Sequence, residues 1–322
     1  MKKLLPPYFY TFNQYLRDTY PDKIYKIPVD AGFTCPNRDG SKAYGGCTYC
    51  DNISFSPGAR SGLPLDEQIR NGIEFYRTKR KAKKFIVYFQ AYSNTYAPVA
   101  RLKELYDKAF EFPEVMGISI GTRPDCIDEE KLDLIASYRE KGYYVLVEYG
   151  VESTNEETLK AINRQSTFQE FLQTVKMTHQ RKLDVCVHTI LGLPHDTYET
   201  IMQTAKTLAA LNVKACKVHH LYIAPHTVMA KQYEQGDIKV MGLDEYLSLA
   251  CDFLELLPPE MVIHRFIGEL YGQHCIAPDW QVTKAQVLER FTQEFEKRGT
   301  QQGSRFDPDY TIDIPVPAHS SR

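Results

Sequence analysis

The sequence predicts an α/β fold built on a parallel sheet, and three observations carry that prediction. Six short apolar runs alternate with helix-patterned segments. Strands joined through helices pair in parallel, because each crossover must return over the sheet. The residues just after the runs are polar and chemically varied, as expected where parallel folds keep their sites, at the carboxyl ends of strands. The alternation stops after six units. That leaves an eight-fold barrel two units short, or an open doubly wound sheet.

Taken in order, Tyr8 to Tyr20 carries aromatic residues at helical spacing and reads as a helix packed on the main domain. The first strand is Ile27 to Ala31. Helix Leu65 to Lys79 precedes strand Phe85 to Phe89, and helix Val99 to Phe110 precedes strand Val115 to Ile120. Helix Lys131 to Glu140 leads to strand Tyr144 to Tyr149. Helices Glu156 to Ile162 and Phe168 to Arg181 lead to strand Val185 to Leu191, and helix Thr197 to Leu211 to strand Ala215 to Ile223. Beyond it come helix Leu243 to Leu257, an extra strand within Met261 to Ile267, and a last helix, Lys284 to Lys297. The expected organisation is an N-terminal helical segment (1–24), a core (25–235), a C-terminal extension packed on it (236–298) and a loose tail (299–322) rich in Gln, Ser, Asp and Pro.

The chain of 322 residues is 43% hydrophobic and 25% charged, with net charge −2, so no global basic footprint marks a nucleic-acid binder. Met1 to Pro7 lacks the apolar core of a signal peptide, and no run reaches the length of a membrane span. A cytoplasmic location without membrane contact is the expectation, with the eight cysteines reduced. Cys126, Cys186, Cys216, Cys251 and Cys275 lie far apart and read as small core residues.

Cys35, Cys47 and Cys50 are different. They are spaced C-x11-C-x2-C in a loop of turn formers (Pro36, Asn37, Asp39, Gly40, Gly45, Gly46) directly after the first strand. Structural zinc needs four protein ligands, and a second C-x2-C is absent. Disulfides need pairs. Three thiolates suit a four-iron cluster in which one iron is left open. A non-catalytic zinc module is the alternative from another class.

The other strand ends add to this. Gln90 to Tyr96 follows strand two, Gly121-Thr122-Arg123-Pro124-Asp125 strand three, and Glu148 to Ser153 closes strand four with two carboxylates on one face. His188 to Pro194 closes strand five, and His219, His220 and Tyr222 lie on strand six. Any one cluster is ordinary turn chemistry. Five on one rim, with glutamate, arginine and histidine aimed inward, are harder to read as structural.

These residues reach a family. A-G-F-T-C-P-N-R-D-G…G-G-C-T-Y-C, G-T-R-P-D, E-Y-G-V-E-S and L-G-L-P resemble the radical S-adenosylmethionine (SAM) superfamily, and more narrowly the YhcC/YtqA-type proteins, relatives of the radical SAM half of the elongator catalytic subunit. The resemblance runs from Tyr8 to about Phe295 and includes I-H-R-F-I-G-E and A-P-D-W…K. It implies a partial (β/α)6 TIM-type barrel. It also implies a [4Fe–4S] cluster on Cys35, Cys47 and Cys50, SAM on the fourth iron, and a 5′-deoxyadenosyl radical that takes a hydrogen atom from substrate. A one-electron donor such as flavodoxin or ferredoxin is the implied partner. Tyr49 matches the aromatic position near adenine. Asn94, Arg123, Glu148, Glu152, Arg164 and His188 complete the SAM-site candidates, Glu148 also being a candidate partner for Arg123. The pattern departs from relatives at Glu152 (often Gln), His188 (Asp in a relative) and His195-Asp196 (often Gly-Glu).

Cys35 is the first cysteine, so the second upstream triad of methylthiotransferases is missing. Auxiliary clusters and an acetyltransferase domain also lack their residues. The relatives nearest in pattern act on wobble uridine of tRNA, which implies conversion of a 5-carboxymethylaminomethyl side chain toward 5-aminomethyl; a small metabolite is the alternative substrate. Arg77 to Lys84, six basic residues in eight, is the local candidate for phosphate contact. His264, Arg265, Glu269, Trp280 and Lys284 are candidates for the substrate side, with base stacking or core packing open to Trp280. Cys275 reads as a core residue rather than a hydrogen-atom donor.

Overall fold

The computed structural model describes residues 4–51, 62–268 and 274–312. Glu269 lies outside them. Seven parallel strands form one sheet in sequential order: β1 Ile24–Val29, β2 Lys84–Phe89, β3 Val115–Thr122, β4 Tyr144–Glu152, β5 Asp184–Leu191, β6 Ala215–His220 and β7 Val262–Arg265. The extra segment after strand six therefore joins the sheet, pairing Ala215 with Val262 and Cys216 with Ile263. Near-continuous apolar runs such as KFIVYF in β2, buried at every position but the first, are what a sheet covered on both faces requires.

The sheet is curled. Lys26 on β1 and Lys217 on β6 each place Nζ 2.5 Å from a carboxylate oxygen of Glu148 on β4. In a flat sheet β1 and β4 would stand roughly 14 Å apart. Side chains from well-separated strands meet only across the lumen of a partial barrel.

Helices line the outside: α2 Leu65–Arg80, α3 Val99–Ala109, α4 Glu129–Glu140, α5 Glu156–Ala161, α6 Phe168–Gln180 and α7 Tyr198–Ala210. Capping boxes at Thr167/Glu170 and Thr197/Thr200 define the starts of α6 and α7. Past β6 come α8 Val228–Glu234, α9 Leu243–Glu255 and α10 Lys284–Arg298.

The N-terminal helix, α1 Phe12–Thr19, has a specific position. Its Leu16 packs on Ile24 and Ile86, and Phe12 and Tyr15 join Leu146, Ala215 and Val262, all at or near the amino-terminal ends of strands. The Phe12 ring lies 4.0 Å from that of His264 and beneath Lys26 Nζ at 5.0 Å. α1 plugs the amino-terminal mouth of the barrel, and the opposite mouth carries the polar loops.

The segment after Gly299 is not loose where it is described. Gln302 is buried; its backbone N–H donates to Tyr8 O, and its side-chain amide donates to Pro258 O (2.6 Å) and Met261 O (2.9 Å) and accepts from Tyr10 N–H (2.8 Å). Composition pointed to a tail, but two buried glutamine side chains, Gln301 and Gln302, tie it to the N-terminal segment. Residues 313–322 lie outside the described residues.

Candidate active site at the carboxyl ends of the strands

Cys35, Cys47 and Cys50 are free and line one cavity at the carboxyl rim. The loop that presents them is tightly specified. Arg38 and Asp39 N–H donate to Cys35 O, and Cys50 N–H to Cys47 O. Gly45 and Gly46 hold successive positive φ angles of 83° and 85°, which residues with a Cβ adopt only at a cost. Asn37 donates through Nδ2 to Asn163 O (2.6 Å) and toward Cys47 Sγ (3.5 Å), and Asn163 returns a bond to Gly46 O (2.9 Å). Arg164 Nη1 also points at Cys47 Sγ, at 3.6 Å. Burial and the neighbouring Cys47 push the Cys50 thiol up to about 12, while Arg38 and Arg164 pull it down.

A second group stands beside the thiols. Arg123 forms a two-point pair with Asp125 (2.8 and 2.9 Å) and donates to Arg164 O. Glu148 is therefore not its partner. Arg164 holds Gly150 O and lies 3.8 Å from Glu152. Glu152 sits at a bulge in β4 with φ 68°, an unusual conformation for glutamate, stabilised by these contacts. Burial raises its carboxyl, opposed by Arg164 and the Tyr49 hydroxyl. A Cβ at Gly150 would lie 2.7 Å from Glu152 Oε1 and 3.1 Å from Arg164 Nη2, so the ends of both side chains would have to shift to admit it.

Asn94 is the one SAM-site candidate that does not reach the cavity. Its Nδ2 is spent on Ala91 O (3.0 Å) and Gly121 O (2.8 Å). It braces a turn in which Ala91 and Tyr92 both hold positive φ, and that turn presents Gln90, Tyr92 and Ser93 to the cavity instead.

Glu148 and His188 lie deeper, in a lumen network that pattern reading did not foresee. Glu148, 0% exposed, accepts from Lys26 and Ser119 on Oε1 and from Lys217 on Oε2, with His188 Nε2 2.8 Å from Oε2. Burial alone would raise this carboxyl, yet Lys217 and Lys26 hold it well below the usual carboxylate range. Burial and Lys217 press His188 down to about 4 against the pull of Glu148, burial lowers Lys217 to about 8, and burial with Arg265 keeps His219 low. The histidines are neutral at pH 7. Glu148, Cys186 and His188 are close enough to share a metal ion, but an ammonium on each Glu148 oxygen makes the spot a poor cation site.

Of the substrate-side candidates, Arg265 lines the cavity, whereas His264 packs under Phe12. Trp280 is a packing residue: its ring lies 5.4 Å from Tyr246 and 4.5 Å from His220, and Nε1 donates to Met241 O. Cys275 donates to Ala277 O and does not line the cavity, nor does the exposed Lys284. The basic run Arg77 to Lys84 ends α2 and begins β2, at the amino-terminal end of the strands. It is on the wrong end of the barrel, roughly 17 Å of strand away from the cysteine rim.

This arrangement is that of a radical SAM enzyme. The model of the radical SAM superfamily matches residues 35–208, and that of a radical SAM C-terminal domain residues 213–297; the chain belongs to this superfamily, whose cofactors are a [4Fe–4S] cluster and SAM. Within it, the chain is 38% identical over 301 residues to YtqA of Bacillus subtilis (92% of each chain) and 36% identical over 302 residues to MJ0486 of Methanocaldococcus jannaschii (92% of each). It is 33% identical over 300 residues to YhcC of Escherichia coli, covering 92% of this chain and 96% of that one. In fold it is similar to the archaeal Elp3 of Methanocaldococcus infernus, with a TM-score of 0.65 at 16% identity over 87% of this chain and 64% of that one.

The residues present fit these cofactors. Three thiols on one loop are the right donor set, and the N–H groups of Asn37 and Arg164 are aimed at sulfur, as anionic thiolates require. Buried Arg123 Nη1, Arg164 Nε and Ser93 Oγ have no partner among the described residues, which is how a site for a polar ligand looks without it.

Proposed function

We propose that Cys35, Cys47 and Cys50 hold the [4Fe–4S] cluster, that SAM binds its open iron among Tyr49, Arg123, Glu152 and Arg164, and that the substrate is the side chain of a tRNA wobble uridine, converted from 5-carboxymethylaminomethyl to 5-aminomethyl. The observation that carries the cofactor reading is the three-thiol loop with sulfur-directed N–H donors, facing the cavity at the carboxyl rim. Cluster and SAM together supply a 5′-deoxyadenosyl radical able to take a hydrogen atom from carbon. The protein's part is position and dryness. Arg164 ties the cysteine loop to β4 through Cys47 Sγ and Gly150 O, so ligand loop and strand end move as one. Arg123, anchored by Asp125, keeps one guanidinium nitrogen for a carboxylate of the ligand. Tyr49 presents its ring beside Glu152.

Support for an RNA substrate comes from the motif resemblance to wobble-uridine enzymes. It also comes from a 24% identity over 204 residues with a tRNA-2-methylthio-N(6)-dimethylallyladenosine synthase of Petrotoga mobilis, covering 60% of this chain and 44% of that one. The test has two parts. Anaerobic reconstitution should give a brown protein with iron–sulfur absorption near ~400 nm, lost in Cys35→Ala, Cys47→Ala and Cys50→Ala; a colourless wild type ends the cofactor reading. Nucleoside mass spectrometry of tRNA from a strain lacking the gene should show 5-carboxymethylaminomethyluridine accumulating. An unchanged nucleoside profile refutes the tRNA substrate while leaving the cofactor reading intact.

A further inference from the structure

The three candidate cluster thiols have unequal surroundings. Cys47 is buried, whereas Cys35 and Cys50 are partly exposed. The turn after α5 grips the chain on both sides of Cys47: Asn163 Nδ2 donates to Gly46 O at 2.9 Å, and Thr48 N–H to Ile162 O at 2.9 Å. Arg164, next along that turn, reaches the sulfur itself, with Nη1 3.6 Å from Cys47 Sγ. Asn163 and Gln165 hold positive φ angles of 52° and 54°, so a left-handed residue on either side directs Arg164. Asn37 supplies a second donor. One Nδ2 hydrogen goes to Asn163 O at 2.6 Å and the other lies toward Cys47 Sγ, at 3.5 Å. Among the described residues no such donor is directed at the sulfur of Cys35 or Cys50. The other guanidinium groups of the rim bond to oxygen, Arg38 to Cys50 O and Arg123 to Asp125 and Arg164 O. Glu152, the acid beside Arg164, stands 3.8 Å from Nη2 rather than at Nη1, the nitrogen that faces sulfur.

We propose that Arg164 and Asn37 are redox-tuning residues, which raise the reduction potential of the cluster by hydrogen bonding to the Cys47 thiolate. The step they govern is a simple one: the cluster takes one electron from the donor protein, no bond is made or broken, and no proton moves. The added electron makes the thiolate-ligated cluster more negative. An N–H aimed at a ligand sulfur stabilises that state more than the oxidised one, and a charged donor does so about twice as strongly as a neutral one. Burial acts in the opposite sense, because a dry site disfavours added charge. Both donors therefore meet the thiol that burial would make hardest to charge. The proposal rests on Cys35, Cys47 and Cys50 being the cluster ligands.

The test is an anaerobic potentiometric titration of the reconstituted holoenzyme without SAM, read from the electron paramagnetic resonance signal of the reduced cluster, with iron content measured in parallel. Arg164→Met removes the charged donor and Asn37→Ala the neutral one. At the wild-type midpoint the reduced-to-oxidised ratio should fall roughly ten- to hundredfold in Arg164→Met and roughly two- to tenfold in Asn37→Ala, the spans of a charged and a neutral hydrogen bond. For one electron, tenfold corresponds to about 59 mV. Direction separates tuning from mere loosening of the loop, because water let into the site stabilises the more negative cluster and raises the potential. An unchanged or higher midpoint in either variant, at full iron content, overturns the proposal. If neither variant keeps its iron, the two side chains retain the cluster rather than tune it, and the proposal falls as well. A wild type that takes up no cluster refutes the cofactor reading and the tuning with it. A wild-type cluster with unmoved variants leaves the cofactor reading standing and refutes the tuning alone.

Discussion

Replacing Glu148 by Gln isolates the lumen network. Glu148 is fully buried and both of its oxygens are occupied by ammonium groups, so the amide leaves Lys26 and Lys217 with no counter-charge. Breaking a buried ion pair by removing one partner costs about 3–5 kcal/mol, mostly the penalty of the stranded charge. Lys217, already lowered to about 8 by burial against the pull of Glu148, should then give up its proton near neutral pH, which limits the loss to the lower part of that range. Adding Lys217→Met removes the stranded group and should recover about 1–2 kcal/mol, so the double variant is more stable than Glu148→Gln alone. Equilibrium urea unfolding of wild type, both singles and the double, followed by circular dichroism, measures the cycle. A loss below about 1 kcal/mol for Glu148→Gln, or strictly additive singles, would show that this carboxylate does not organise the lumen.

Three further predictions follow from single contacts. Gly150→Ala should weaken SAM binding about tenfold in equilibrium dialysis with the fold intact, because the added methyl separates Glu152 from Arg164; unchanged affinity would remove that pair from the SAM site. Alanine at Lys79, Arg80 and Lys81 should change tRNA affinity less than about twofold and leave its salt slope unaltered in filter binding, since these residues are at the closed end of the barrel; a flatter slope would place phosphate there. His220 titrates at about 3 in the folded chain because burial disfavours its charged form, against 6.5 for the free side chain. The unfolded chain therefore binds the extra proton first, and stability falls as pH drops from about 6.5 toward 3. In His220→Phe the urea midpoint should decline less steeply between pH 6.5 and 4.5, and an identical slope would mean that His220 is charged when folded.

The parts legible in sequence were those with a local signature. Parallel strands announce themselves as apolar runs, and the C-x11-C-x2-C loop carries its own turn chemistry, so both could be placed without coordinates. Lumen chemistry is different, because it is assembled from strands distant in the chain. Lys26 in IYKIPV and Lys217 in ACKVHH each interrupt an apolar strand, and a charged residue inside a buried strand was the available signal. Glu148 was visible as a site candidate, yet its partners lie 122 and 69 positions away in the chain, and only curvature brings them together. Asn94 looked equivalent to its neighbours in QAYSNTY, but the direction of its amide is decided by the turn it stabilises. The run of lysines and arginines was read by composition alone, which says nothing about which end of a barrel it occupies.

The helix that stoppers the amino-terminal mouth has a consequence for traffic. With Phe12 and Tyr15 seated among the strand starts, the described residues fill the amino-terminal mouth, and the cavity lies at the opposite rim, beside the cysteine loop. A small ligand that enters at that rim would lie beneath any larger molecule that came to cover it. The plug on the far side of the protein thus turns traffic toward the rim where the cysteines stand.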